Sequence, residues 1–153
     1  MVWRIKKRII EFGNIDWRIL KVKKNKMLVI SEGVLETKAF NDNPDNNWDE
    51  CSLKRYLNTD FLKNNFTAEE QDKILLNEVF LLSRRQVRKY MPEPSDRIAY
   101  TSKLEACDWW LRSSRFAIPN AGAVGSHGLI YLYCLVVDNN TVGVRPAMWL
   151  RLN

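Results

Sequence analysis

The sequence predicts an α+β fold, with one antiparallel sheet and two or three short helices in a single domain spanning 1–153. Three observations carry this expectation. Strand-like runs joined by short turns occupy the chain from Trp3 to Ser31, capping signals for short helices follow in the middle, and β-branched, glycine-punctuated segments return after Gly122. With 153 residues, 46% of them apolar and 27% charged, the chain is sized for one globular core, and disordered or collagen-like structure is excluded.

Each element has a local reason. Trp3 to Phe12 is rich in isoleucine and aromatics and reads as a strand, ended by the turn pair Gly13-Asn14. Trp17-Arg18-Ile19-Leu20-Lys21-Val22 alternates apolar with basic residues, the period of a half-buried strand. After a turn at Lys24-Asn25-Lys26, the nearly continuous apolar run from Met27 to Ser31 suits a central strand. Phe40 to Asn47 is a polar loop, and Asp49 or Ser52 caps a helix running to about Leu57. Thr67-Ala68-Glu69-Glu70 is a capping box, so a second helix starts there. Val79 to Leu82 predicts a short strand. Ser83 caps a small helix that ends before Pro92, with a loop from Met91 to Ser95. Short strands are expected at about Leu129 to Val137 and Val144 to Leu150.

Composition narrows the function classes. No apolar run approaches the ~18 residues that span a membrane. The charged N-terminus lacks a following small-residue cleavage site, so the expectation is a cytoplasmic chain, with surface display open to it only through a leader or a partner. Cys51, Cys107 and Cys134 are an odd set without a CxxC pair, which argues against disulfides and zinc ribbons and predicts buried structural thiols. The net charge of +6 sits wholly in residues 1–38, which hold ten Lys/Arg and four Asp/Glu; residues 39–153 hold fourteen of each sign. Lys6, Lys7, Arg8, Lys21, Lys23, Lys24 and Lys26 lie in or beside strand-like runs, where they form a solvated face and block edge pairing. A basic nucleic-acid-binding module is therefore an alternative, not the main reading.

Catalytic constellations are missing from the sequence. The single histidine, His127, lies in the turn-like Gly125-Ser126-His127-Gly128. The acidic loop containing Asp42, Asp45, Asp49 and Glu50 lacks the spacing of a calcium loop. GxGxxG, P-loop and HExxH patterns do not occur. No catalytic residue, cofactor or metal is expected.

The last third carries a signature. Trp109-Trp110-Leu111-Arg112-Ser113-Ser114 is followed about thirty residues later by Gly143-Val144-Arg145-Pro146-Ala147-Met148. Trp109, Trp110, Leu111 and Trp149 read as core, and Arg112 and Arg145 as partly buried cations paired with carbonyls or carboxylates. With Phe12-Gly13, Trp17, Leu28 to Ser31, Trp48 to Asn58 and Leu81-Leu82-Ser83, these segments resemble an uncharacterised bacterial domain family with WWLRS and GVRPA motifs. The paired motifs also resemble the C-type-lectin-like fold of formylglycine-generating enzymes and of the variable proteins of diversity-generating retroelements. That resemblance implies a core strand at GVRPA and an exposed surface between the motifs. An oxidoreductase like the formylglycine-generating enzymes is a further alternative, but their pattern of two closely placed cysteines near the C-terminus is not matched. Nor are the EPN or WND tripeptides of calcium-dependent sugar-binding lectins present.

Between the motifs the composition changes. Residues 115–142 contain no Lys, Glu, Gln, Met or Trp, whereas 1–114 contain 31, a frequency that predicts about seven or eight in the window. These five types are the ones never encoded by a codon ending in a pyrimidine. Adenine-directed mutagenesis of AAC or AAT codons, which spares the third position, leaves that residue set, and the variable proteins carry their hypervariable region just before the terminal motif. The sequence is thus read as a non-enzymatic ligand-binding domain whose ligand is a protein or other macromolecule. Phe116, Ile118, Asn120, Ser126, His127, Tyr131, Tyr133, Asn139 and Asn140 are the expected contacts, a set of adaptable polar and aromatic groups. If 129–137 is a strand, Tyr131 and Tyr133 share a face.

Overall fold

A computed structural model describes residues 5–6, 8–113, 117–130 and 134–153. The first sheet is built by consecutive hairpins. β1 (Ile5–Lys6) pairs with β2 (Ile9–Phe12), which turns into β3 (Ile15–Val22) and then β4 (Lys26–Ser31). The β2–β3 turn residues Gly13 and Asn14 have φ of 61° and 58°, the geometry of a tight turn whose twist matches the strands. The glycine has a second reason to be there, because a Cβ would come within 2.4 Å of the Phe66 ring. The far edge of this antiparallel sheet is β12 (Ala147–Arg151), so strands from both ends of the chain share one sheet, in the order β1-β2-β3-β4-β12.

The Met27–Ser31 run is fully buried between β3 and β12, as a central strand requires. In β3 the alternation breaks at Leu20. The register shifts between Ile19 and Lys21, and Ile19 and Leu20 are both buried. This bulge changes the phase of the strand, which turns Lys21 out to solvent.

A second sheet of shorter strands has the order β10-β9-β8-β11-β5. It comprises β5 (Glu36–Thr37), β8 (Trp109–Trp110), β9 (Asn120–Val124), β10 (Cys134–Val136) and β11 (Gly143–Val144). Its β8–β11 pair is parallel, and β6 (Ala99–Tyr100) and β7 (Ala106–Cys107) form a separate ladder. The class is α+β as expected, but the strands divide between two five-stranded sheets, one of them mixed. The division falls at Arg145-Pro146, inside the expected strand from Val144 to Leu150. Proline has no N–H for a ladder; its carbonyl accepts from Ser31 N at 3.0 Å, while Arg145 turns into the core.

The helices are short and mostly capped. α1 (Ser52–Leu57) starts one residue after Cys51, whose Sγ accepts from Lys54 N; a 3₁₀ turn at Trp48–Glu50 precedes it. α2 (Asp60–Asn65), which the sequence did not signal, is followed by Phe66. That ring packs 5.1 Å from Phe12 and 5.8 Å from Phe61, closing the helical layer onto the β2–β3 hairpin. α3 (Ala68–Lys73) and α4 (Arg84–Tyr90) carry the capping boxes expected at Thr67 and Ser83. A single helical turn, α5 (Pro94–Arg97), occupies part of the expected loop. Val79 to Leu82 forms no strand; Phe80 exchanges two hydrogen bonds with Ala147 and the chain then enters α4. Among the described residues, no helix is long and apolar enough to cross a membrane.

Ser83→Ala is expected to lower stability by about 1 kcal/mol, since Ser83 Oγ takes the Gln86 N–H at 3.1 Å and Gln86 Oε1 returns the bond at 2.8 Å. A thermal melt checks this. An unchanged midpoint would mean that Ser113 Oγ, which accepts from Arg84 N at 2.9 Å, holds the helix start unaided.

Candidate recognition surface

The segment between the two motifs is half core. β9 lies between β8 and β10, and its residues Ala121 to Val124 are buried, as are Ile130, Val137 and Val142. Leu111 N donates to Gly122 O, and Gly122 N to Ser113 O, so the WWLRS segment runs alongside β9 and holds it. Trp109, Trp110 and Leu111 are buried, as read from the sequence. Trp149 differs, being only half-buried, because β12 is an edge strand.

Exposed positions remain at the two ends of the β9–β10 ladder. At one end, Ile118 is 64% exposed and Asn140 is exposed. Asn120 is half-buried there; its carbonyl accepts from Asn46 Nδ2 at 2.9 Å, which ties the segment to the loop before α1. Asn139 is half-buried, and its Oδ1 accepts from Thr141 N and Oγ1 at 2.9 and 2.7 Å. That side chain builds its own turn. At the other end, Ser126 N donates to Asp108 Oδ1 at 2.8 Å and His127 is exposed in the turn. The four residue steps of β9 separate these ends by ~14 Å. The described contacts therefore form two clusters. Phe116, Tyr131 and Tyr133 lie outside the described residues, and so does the expectation that the two tyrosines share a face.

Within the described part of this segment, two further exposed apolar side chains escaped the sequence reading: Leu129, 59% exposed, and Val136, 45% exposed. Val136 pairs with Asn120 at the edge of the sheet, and Val137 beside it is buried. Two adjacent valines give no periodic signal of which one faces out.

Catalytic geometry does not assemble around the histidine. His127 Nδ1 lies 3.4 Å from the adjacent Ser126 Oγ, and Asp108 takes the Ser126 backbone N–H, so the histidine has no orienting carboxylate among the described residues. Cys51 is buried as expected, whereas Cys107 and Cys134 are half-buried because they sit on short, thinly covered strands. Burial pushes the Cys51 and Cys107 thiols up, and Asp108 adds to the shift at Cys107; both thiols move away from the reactive thiolate. Among the described residues, no three His, Cys, Asp or Glu side chains are placed to share a metal ion. Arg112 and Arg145 pair mainly with carbonyls, Arg112 on Leu81 O and Arg145 on Ser31 O and Glu32 O.

No curated protein and no solved structure matches the chain. The segment from the turn before β4 to the middle of α4, residues 24–88, matches a family described as a domain of unknown function (DUF6273).

Proposed function

We propose that this chain is a non-enzymatic ligand-binding domain with a C-type-lectin-like fold. Its recognition surface is made of the exposed positions of the 115–142 segment and is diversified by a retroelement acting on asparagine codons. The partner is a protein or other macromolecule. The observation that carries this reading is the loss of Lys, Glu, Gln, Met and Trp from the window.

Burial accounts for part of that loss. Ala121 to Val124 sit in a strand with no room for long charged side chains. It does not account for Ile118, His127, Leu129, Val136, Asp138 and Asn140. All six are exposed, and a lysine or glutamate there costs little. Codon-restricted change supplies the missing reason. The fold reading is supported by strands from both ends of the chain sharing one sheet, with a second sheet of short strands and long connections between them.

Deep sequencing of the gene's 3′ end across a growing host population tests the reading. Expected are substitutions at first and second codon positions, concentrated at the exposed sites, with Ala121 to Val124 and Gly128 spared. An invariant window, or changes spread evenly along the gene, overturns the diversification.

A further inference from the structure

Three tryptophans satisfy their indole N–H within the protein: Trp17 donates to Phe12 O at 2.9 Å, Trp109 to Arg97 O at 2.9 Å and Trp110 to Lys38 O at 2.8 Å. Trp48 and Trp149 have no such partner among the described residues. Neither N–H is among the buried side-chain atoms left without a hydrogen-bond partner in the described residues, so neither is sealed from water. Both rings line the same cleft, of about 320 Å3, together with Phe80. This places it at the small end of ligand-binding clefts, which run from ~300 to 1,000 Å3.

The polar lining is equally specific. Arg112, from the WWLRS segment, is half-buried in the cleft wall. Its Nε donates to Leu81 O at 2.9 Å and its Nη2 to Gln86 Oε1 at 3.0 Å. Gln86 Oε1 also accepts from Ser83 N, which fixes the amide and leaves its Nε2 group without a partner among the described residues. Burial lowers the Arg112 pKa, and the carboxylates of Glu78 and Asp49 oppose that shift. Lys54 completes the charged lining through its 3.3 Å pair with Asp49. Two carboxylates thus balance two cations.

That combination selects a chemical class. Trp149 is half-buried with Lys26 Nζ 4.4 Å from its ring centroid, and Trp48 and Phe80 are buried except for the parts that reach the cleft; these apolar ring edges suit the C–H groups of a sugar. Unpaired indole and amide N–H groups beside carboxylates suit hydroxyls, which both accept and donate. Charge is balanced within the lining itself, and Lys23 and Lys26, 5.3 and 4.4 Å from the Trp149 ring centroid, are the cations just outside it, so anions are the competing ligands the test includes. We propose that this cleft binds a neutral carbohydrate of one or two rings, without a metal ion. None of the described contacts of the 115–142 segment lines it, so the assignment stands apart from the reading above.

The test is calorimetric titration of the full chain with glucose, galactose, mannose, N-acetylglucosamine, maltose and cellobiose, and with glutamate, glucuronate and inorganic phosphate as anionic competitors, with tryptophan fluorescence recorded in parallel. Saturable binding of at least one sugar with a change in fluorescence is expected, unaffected by EDTA. Trp48→Phe keeps a ring and removes the N–H; Glu78→Ala alters an exposed side chain and leaves the melting curve unchanged. Each is expected to weaken binding at least tenfold. No saturable binding across the panel, binding that both variants retain at full strength, or binding confined to glutamate, glucuronate or inorganic phosphate overturns the assignment.

Discussion

Arg145→Ala is expected to lower the unfolding free energy by about 3 kcal/mol or more, through the mechanisms that make buried arginines costly to truncate. Arg145 is fully buried at the step between the two sheets. Its Nε and Nη2 donate to Ser31 O at 3.0 and 2.9 Å, and Nη2 also reaches Glu32 O at 3.2 Å. The guanidinium lies 4.6 Å from the Trp109 ring centroid. Among the described residues no carboxylate neutralises it directly. The Glu32 carboxylate is taken bidentately by Arg18, at 2.9 and 2.6 Å. Burial brings the Arg145 pKa down to about 9 and the Arg18 charge pulls the same way, yet the group stays protonated at neutral pH.

Alanine removes the three bonds and opens a void beside Trp109, whereas methionine refills much of the volume and removes the buried charge. Arg145→Met is therefore expected to fall between alanine and wild type in urea unfolding. If methionine proves as damaging as alanine, the bonds to the Ser31–Glu32 turn outweigh the cost of burying the charge.

Gly128→Ala is the second large expected effect, about 3 kcal/mol, or a thermal midpoint lower by about 10 °C for a domain of this size. Gly128 has φ of +86°, where a Cβ is strained, and that Cβ would come within 2.1 Å of Pro94 O and 2.8 Å of Pro94 C. These are backbone atoms of α5, so no side-chain rotation relieves the contact. Arg97 reinforces the junction. It is buried, donating from Nη1 to Gly128 O at 3.2 Å, from Nε to Met91 O at 2.6 Å and from Nη2 to Pro92 O at 2.7 Å. A variant that melts normally would show that the 125–128 turn can lift away from Pro94. The same contact would limit the proposed diversification, because a substitution at codon 128 removes stability however exposed its neighbours are.

The candidate recognition segment was legible as a composition, not as a surface. A codon-restricted residue set is a property of the sequence and needs no fold to be seen. Which of its positions face out depends on β9 sitting between β8 and β10, and that depends on partners far along the chain. Asn139, one of the expected contacts, also closes the Asn139–Thr141 turn through its Oδ1, a local hydrogen-bonding role that composition does not show. The cleft of Trp48, Glu78, Arg112 and Trp149 was not legible at all. Its residues come from four separated segments, and Trp149 reads as core in any hydrophobicity pattern.

Local chemistry determined the rest of what the sequence could say. The Gly13-Asn14 turn, the buried run from Met27 to Ser31 and the capping boxes at Thr67 and Ser83 all follow from neighbours within four residues, where backbone geometry and side-chain caps act. Tertiary structure alone decided the bulge at Leu20, the break at Arg145-Pro146 and the division into two sheets. Each of these depends on which strand lies alongside, and Arg145 meets its acceptor on Ser31 across 114 residues of chain. Side-chain periodicity says that a strand has two faces. Only the assembled sheets decide what each face meets, because burial and hydrogen bonding are satisfied between segments and not within them.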